Sequence, residues 1–378
     1  MWLTANEALA RLGSKPQTLY ANVSRGRIAA RPDPADSRRS LYSAEDVERL
    51  AARARGRRSA ETVAEETVRW GDPVLTSALS TIVSGRLYYR GRDAVELSRT
   101  GRLENVATLL WGGDWHGEAV AGTAPAGGLA TAFAGLAARA ATDLPSHGRG
   151  ADVLRIEAGS ILMTLAGAFC GNQTGALHAR LAAHWQRPEA KDLLRRALVL
   201  LADHELNAST FTARVTVSTG ASLAAGALAG LAALSGPLHG DASTAVFALM
   251  QEAGREGSEK AVRNWLALGR RIPAFGHRLY PDGDIRATEL LSHFELPADY
   301  AELAGHVHEL TGERPNIDFA LAALVARHDL PRSAPLAIFA LARSVGWLAH
   351  ALEQVAADHI IRPRARYVGP PVSAPAAR

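Results

Sequence analysis

Thirteen histidines stand in the 378-residue chain, and three of them lie where an imidazole can reach a cleft. His204 is found in Asp203-His204-Glu205-Leu206-Asn207-Ala208-Ser209-Thr210. His239 lies in Gly236-Pro237-Leu238-His239-Gly240, a Pro/Gly turn directly after a helical stretch. His277 lies in Phe275-Gly276-His277-Arg278, another glycine-bearing turn. A carboxylate, Asp318, follows Arg314-Pro315-Asn316-Ile317 at the start of a further helix. Turns carried by a rigid scaffold are where reactive groups tend to sit, and imidazole with carboxylate is the usual equipment of general acid–base chemistry. Other chemistries are disfavoured. No His-x3-His or His-Glu-x-x-His spacing pairs two histidines on one helix face, so no metal site is expected. No Gly-x-Ser-x-Gly elbow supports a serine nucleophile. The single cysteine, in Ala168-Phe169-Cys170, excludes an internal disulfide and reads as an inert buried thiol.

The elements that must position these groups are mostly helices. From residue 73 onward, apolar residues recur at three- and four-residue intervals over 102–111, 152–169, 192–206, 221–235, 243–253, 317–327 and 336–357. The alternation of a sheet is confined to Ile82-Val83-Ser84-Gly85-Arg86-Leu87-Tyr88-Tyr89, which suits one hairpin. The fold class is therefore mainly α, with many packed helices. Ala224, Ala225, Gly226, Ala229 and Gly230 allow close helix–helix approach and read as a packing face. At 47% hydrophobic and 21% charged, the composition excludes a disordered chain, and the length suits two or three domains. No window approaches eighteen uninterrupted apolar residues, so neither a spanning helix nor a membrane partner is expected. Trp2-Leu3-Thr4 after Met1 shows no basic start and no apolar core of a secretory signal, which points to the cytoplasm.

Charge is distributed unevenly. Residues 1–58 hold twelve Lys and Arg against six Asp and Glu, a surplus of six; the whole chain carries +4, which leaves the remainder at −2. A basic end on a mildly acidic body suggests that this end meets an anionic polymer. Thr4 and Glu7 form a capping-box pattern before a helix with Ala8, Leu9 and Leu12 inward. Gly13 ends it, and Ser14-Lys15-Pro16 opens a second helix carrying Leu19, Tyr20 and Val23, closed by Arg25-Gly26-Arg27. Arg31-Pro32-Asp33-Pro34 turns into the basic return strand Arg38-Arg39-Ser40-Leu41-Tyr42, and Ser43 caps a third helix with Val47 and Leu50 inward. This segment resembles the winged helix-turn-helix domains of mercury-resistance-regulator and excisionase type. The resemblance implies that Lys15, Gln17, Thr18 and Tyr20 face DNA, with Arg25, Arg38 and Arg39 on the phosphates. Residues 59–72 read as a linker.

Several motifs of the body fall in one order. They are Leu87-Tyr88-Tyr89-Arg90-Gly91, Asp203-His204-Glu205 with Asn207-Ala208-Ser209-Thr210, and Gly236-Pro237-Leu238-His239-Gly240. Then come Phe275-Gly276-His277-Arg278-Leu279-Tyr280 with Asp284 and Arg286-Ala287, and Asn316-Ile317-Asp318-Phe319. The series ends with Ala342-Arg343-Ser344-Val345-Gly346-Trp347 and Ile361-Arg362-Pro363-Arg364. In this order they resemble citrate synthase, over about residues 73–370. The resemblance implies condensation of acetyl-CoA, or a close homologue as in 2-methylcitrate formation, with oxaloacetate, with coenzyme A as co-substrate and no resident cofactor or metal. It implies Asp318 as base, His239 as hydrogen-bond donor to the enolate, and His277 as donor to the ketone. Arg286, Arg343, Arg362 and His204 would hold the two carboxylates, since a guanidinium fork can grip a carboxylate bidentately. Ile272, Pro273, Ala274, Phe275 and Gly276 match the loop around the coenzyme A adenine. The resemblance also implies a large domain of 73–239 and 332–378, a small domain of 240–331 closing over it, and a homodimer in which Arg362 crosses to its neighbour. The sequence departs from the family at Gly240-Asp241-Ala242-Ser243, where Asp241 is expected to raise the pKa of His239, and at Tyr280-Pro281-Asp282-Gly283, where a basic residue is usual. Two further readings follow from the pairing of segments: a DNA-binding regulator that senses oxaloacetate, citrate or an acyl-CoA, and a helical dimer serving as scaffold for the DNA reader.

Overall fold

A computed structural model of the chain describes residues 2–12, 18–19, 22–23, 28–33, 36–48, 75–114, 126–240, 242–365 and 367–370. These fall into two compact units: 1–76 with 364–378, and 77–363.

In the first unit the capping box forms. Thr4 N–H donates to Glu7 Oε2 at 2.8 Å, and Glu7 N–H donates to Thr4 Oγ1 at 3.4 Å, opening the helix Ala5–Leu12. Trp2–Leu3, Asp36–Ser43 and Ala30–Asp33 make a three-stranded antiparallel sheet with Asp36–Ser43 in the middle. Leu3, Ala8, Leu19, Ile28, Tyr42, Ala44 and Val47 form its core. Asp46 N–H donates to Ser43 Oγ at 3.3 Å, starting a helical stretch at 44–48. Thr18 is exposed on helical backbone, and Arg39 is exposed beside Asp36 at 3.3 Å. Lys15, Gln17, Tyr20, Arg25, the Arg38 side chain and the linker 59–72 lie outside the described residues.

The second unit begins with the strands Ser80–Val83, Arg86–Tyr89 and Arg92–Asp93. The two-residue turn Ser84-Gly85 has φ values of 50° and 70°, as a tight hairpin turn requires. A third strand extends the expected hairpin, and Asp93 then caps the helix Ala94–Thr100. The helical windows read from periodicity all carry helices. Further helices cover Ala94–Thr100, Gly128–Thr142, Leu177–His184, Ala208–Val217, Ser258–Ala267, Ile285–Leu291 and Ala298–Thr311.

The 24-residue helix Ala334–Ala357 runs through the main core. It and Ala151–Cys170 are long and apolar enough to cross a membrane by composition, but both pack into that core. The small residues of Leu223–Leu234 serve close packing. A Cβ on Gly230 would lie 2.7 Å from the Trp347 ring, and one on Gly226 would lie 2.5 Å from Val217. A second core gathers Val246, Leu249, Val262, Phe275, Tyr300 and Leu303. The helix Ile317–His328 belongs to both cores: Leu321 and Leu324 face the first, Phe319 and Ala323 the second. Its N-terminus, with Asp318, therefore lies on the seam between them. Cys170 is buried, and burial pushes its thiol up to about 12, so it is inert.

Candidate active site

Four loops deliver the polar groups. The first follows the helix Lys191–Leu201 and carries His204. Asn207 then caps Ala208–Val217 by accepting from Thr210 N–H at 3.1 Å, which sets Ser209 at the helix start. Asp203 is fully buried, its carboxylate held by the Ser80 hydroxyl and by His350 Nε2 at 3.2 Å.

The second loop carries His239. Its Gly240 N–H returns to Leu234 O at 2.9 Å, and a Cβ on Gly240 would strike the Leu234 side chain at 2.5 Å, so only glycine makes this turn. His239 Nε2 lies 2.9 Å from Ser209 Oγ, which accepts from Trp347 Nε1 at 3.1 Å and donates to Asn207 Oδ1 at 2.7 Å. Burial, then the Arg343 charge, push the His239 pKa down to about 4, so the imidazole is neutral. Asp241 lies outside the described residues.

The third and fourth loops are stitched together. Gly276 N–H donates to Arg314 O at 2.9 Å, Asn316 N–H to Ala274 O at 3.0 Å, and Asn316 Nδ2 to Gly276 O at 3.2 Å. Gly276 has φ of 69°, and its missing Cβ leaves room for the Glu313 carboxylate. This stitching ties the turn of His277 to the start of the Asp318 helix, where Asn316 Oδ1 accepts from Asp318 N–H at 3.0 Å. Leu279 N–H donates to His277 Nδ1 at 3.2 Å, so a neutral His277 carries its proton on Nε2. Burial, then Arg286, hold its pKa down to about 4. In the loop 272–276, the side chains of Ile272, Ala274 and Phe275 belong to the second core, leaving Pro273 and Gly276 partly exposed.

Asp318 is strongly perturbed. Burial raises it from the ordinary 3.8 to about 7, against the pull of Arg286 and Arg343 and with the push of Asp284. Its Oδ1 is buried without a hydrogen-bond partner among the described residues. Arg286 is clamped by Asp284, with Nε and Nη2 at 2.9 and 2.8 Å, and Asp284 also accepts from Ile317 N–H at 3.0 Å. Burial works against the Arg286 charge, but Asp284 outweighs it and raises the pKa. The bidentate fork expected for a ligand is thus already spent on Asp284, which leaves Nη1. Arg343 donates from Nε to Leu201 O at 2.9 Å, and its Nη2 is buried without a partner among the described residues. Burial lowers its pKa to about 10, with Asp203 opposing.

Tyr280 sits among these residues. Its hydroxyl lies 2.9 Å from His204 Nε2, its ring centroid 4.9 Å from that of His277, and the Arg286 guanidinium 5.2 Å over its face. The rings of His204 and His277 are 5.3 Å apart. Burial, then Arg286 and Arg343, hold the His204 pKa well below its ordinary value. The structure therefore brings His204, His277, Arg286, Arg343 and Asp318 into one electrostatic cluster, with His239 joined through Arg343. Arg362 is not in it. That residue is exposed beyond the long helix, where the preceding Ile361 N–H donates to Ser218 Oγ at 3.0 Å. Sequence reading gave no role to Tyr280, Ser209 or Asp203, although all three lie inside the quoted motifs; their partners come from distant loops. Among the described residues no group of three or more His, Cys, Asp or Glu is placed to hold a metal. A cavity of about 680 Å³ around Ser146, Ser218 and Asp358 lies away from this cluster, whose members are largely buried.

A helical body that buries two cations beside a poised carboxylate and neutral imidazoles belongs to the class built to receive an anion and move a proton. A family model for the citrate synthase C-terminal domain matches residues 150–364, and the chain belongs to the citrate synthase family. It is 40% identical over 194 residues to citrate synthase 2 of Bacillus subtilis, covering 48% of this chain and 52% of that one. It is 38% identical over 185 residues to the citrate synthase of Haloferax volcanii, covering 46% and 49%. The chain thus spans about half the length of the curated relatives it matches. The citrate synthase structure from Thermotoga maritima aligns with a TM-score of 0.65 at 28% identity, covering 80% of this chain and 96% of that one. The Thermoplasma acidophilum enzyme, solved as a ternary complex with carboxymethyl coenzyme A and oxaloacetate, shares the fold at 23% identity, with a TM-score of 0.66 over 82% and 97% of the two chains.

Proposed function

We propose that the chain condenses acetyl-CoA, or a similarly short acyl-CoA, with oxaloacetate and hydrolyses the thioester intermediate to citrate and coenzyme A. One observation carries this reading: a partly buried carboxylate whose Oδ1 is buried with no hydrogen-bond partner among the described residues, with a pKa of about 7, under the influence of two buried guanidinium groups. A thioester methyl is a very weak acid and needs such a base with a donor on the enolate oxygen. Ionised Asp318 takes the methyl proton. The electron pair moves onto the thioester oxygen, which accepts a hydrogen bond from His239. For this, the Ser209 hydroxyl turns its proton from Asn207 Oδ1 to His239 Nε2, and the imidazole donates from Nδ1. The enolate carbon then attacks the ketone carbon of oxaloacetate, whose oxygen accepts from His277 Nε2–H. Arg286 through Nη1, Arg343 through its free Nη2, and His204 hold the carboxylates, completed by Arg362 of the partner subunit in a homodimer. Closure of 240–331 over 73–239 and 332–378 keeps water out until the carbon–carbon bond has formed. In the loop 272–276, backbone groups with Pro273 and Gly276 meet the adenine.

Thiol release on mixing the protein with acetyl-CoA and oxaloacetate tests the proposal, and propionyl-CoA in parallel reads chain-length preference. Asp318→Ala is expected to lose turnover by roughly 10²- to 10⁴-fold while still binding oxaloacetate. Equal turnover in both proteins removes Asp318 from the mechanism.

We also propose that the N-terminal unit is a winged helix-turn-helix reader of DNA. The capped helix, the three-stranded sheet and their shared core support it. Retention on duplex DNA should fall steeply with salt. If oxaloacetate or acetyl-CoA changes that retention, the protein is also a sensor; retention that is flat in salt rules out a phosphate-reading role.

A further inference from the structure

We propose that Tyr280 is a positioning residue that donates its phenolic proton to His204 Nε2 and so fixes His204 as an Nδ1–H donor toward the anionic substrate. The proposal rests on reading this cleft as an oxaloacetate site. Tyr280 is 1% exposed, and its hydroxyl finds one hydrogen-bond partner among the described residues, His204 Nε2 at 2.9 Å. A buried phenol needs an acceptor, and leaving its O–H unmade costs the full desolvation of the group. Both partners are neutral. Burial pushes the phenol up to about 12 with Asp284 and Glu205 adding, while Arg286 and Arg343 pull it back. The imidazole is held neutral by burial and by Arg286, Arg343, His277 and His239. With two neutral groups and one contact, the phenol is the donor and Nε2 the acceptor. The proton of His204 then sits on Nδ1, which has no protein partner among the described residues.

Tyr280 is itself immobilised. Its N–H donates to His277 O at 2.9 Å, its ring lies against His277, and Arg286 covers its face. One side chain thus touches three groups that the proposed reaction uses. Tyrosine is suited to this because a ring fills the space while one hydroxyl selects the tautomer. The same tautomer selection is made for His277 by a backbone N–H, that of Leu279. The two histidines are therefore set as donors from opposite nitrogens.

The test uses the full-length protein with ¹⁵N-labelled histidine, read by NMR of the imidazole nitrogens at neutral pH, and His204→Asn assigns the signal. In the wild type, His204 is expected to show protonated Nδ1 and bare Nε2. Tyr280→Phe keeps the ring and removes the hydroxyl. It should release the tautomer, and the oxaloacetate Kd measured by calorimetry should rise about tenfold, the loss of one hydrogen bond to a charged group, with coenzyme A affinity unchanged. A wild-type His204 protonated on Nε2 overturns the proposal, and that outcome does not depend on Tyr280→Phe folding. Unchanged tautomer and unchanged oxaloacetate affinity in Tyr280→Phe overturn it as well. A wild type that shows the Nδ1–H tautomer yet binds no oxaloacetate sinks the functional reading and the substrate half of this proposal, while the role of Tyr280 on His204 stands.

Discussion

Replacing Asp318 by Asn should make the ligand-free protein more stable, and the gain should grow with pH. Asp318 titrates near an ordinary 3.8 in the unfolded chain and at about 7 in the fold. Below the first value both states hold the proton and the group is neutral in the balance. Between the two values the unfolded chain releases a proton that the fold retains, so stability falls as pH rises, by about 1.4 kcal/mol per unit. Above about 7 the penalty levels off near 4 kcal/mol, the product of the shift and that slope. Asn keeps the shape and never ionises, so it escapes the penalty. Asp318→Asn should therefore exceed the parent by about 2 kcal/mol at pH 5.5 and about 4 kcal/mol at pH 8.5. Urea unfolding of the body, followed by the fluorescence of the buried Trp111 and Trp347, measures both differences. A gain that is equal at the two pH values, or a loss at pH 8.5, refutes the claim that burial has raised this carboxyl. The same substitution should abolish turnover, so stability and activity move in opposite directions at one residue.

Two further outcomes are expected. The acid limb of kcat/KM should fall with an apparent pKa near 7, set by the base, with no second limb down to pH 5 because His239 and His277 stay neutral to about 4; a limb at the ordinary histidine value would contradict this. Gly230→Ala should destabilise the body by roughly 1–3 kcal/mol, because the added methyl meets the Trp347 ring at 2.7 Å. Thermal unfolding reads that loss, and wild-type stability in the variant would mean that the helix Leu223–Leu234 can shift aside at no cost.

The helices with strong apolar periodicity were legible because period alone marks them: Ala151–Cys170, Ile317–His328 and Ala334–Ala357 needed no other signal. Short or Thr-rich helices such as Ala208–Val217 and Ile285–Leu291 were not, since tertiary packing rather than pattern defines them. At the site, residue types were readable and partners were not. His204, His277 and Asp318 stood out in their turns, but nothing local announces that Asp284 occupies the Arg286 fork or that Ser209 serves His239. Those facts depend on which loops the fold brings together, through contacts such as Asn316 N–H on Ala274 O. The neutrality of His239 was unreadable for a related reason: its burial and the charge of Arg343, which comes from a distant helix, set it.

Burial is the largest influence on the ionisation pattern of this cluster. With the neighbouring charges it leaves His239 lowered from 6.5 to about 4, Asp318 raised from 3.8 to about 7 and Arg343 lowered to about 10. The consequences of these shifts differ because the starting points stand differently against neutral pH. The imidazole is left uncharged with a wide margin, the carboxyl is brought to where it can both take and return a proton, and the guanidinium keeps its charge. Arg286 escapes the trend chiefly because Asp284 is clamped to it, with Tyr280 and Tyr89 adding, and Asp284 in turn raises Asp318. Loosening that clamp, as in Asp284→Asn, removes a negative neighbour from Asp318 and frees the Arg286 fork. Both changes favour the ionised form of Asp318, so the acid limb of kcat/KM should move below 7. A shift in the other direction would mean that solvent exclusion around Asp318 depends on the Asp284 contact to Ile317 more than on its charge.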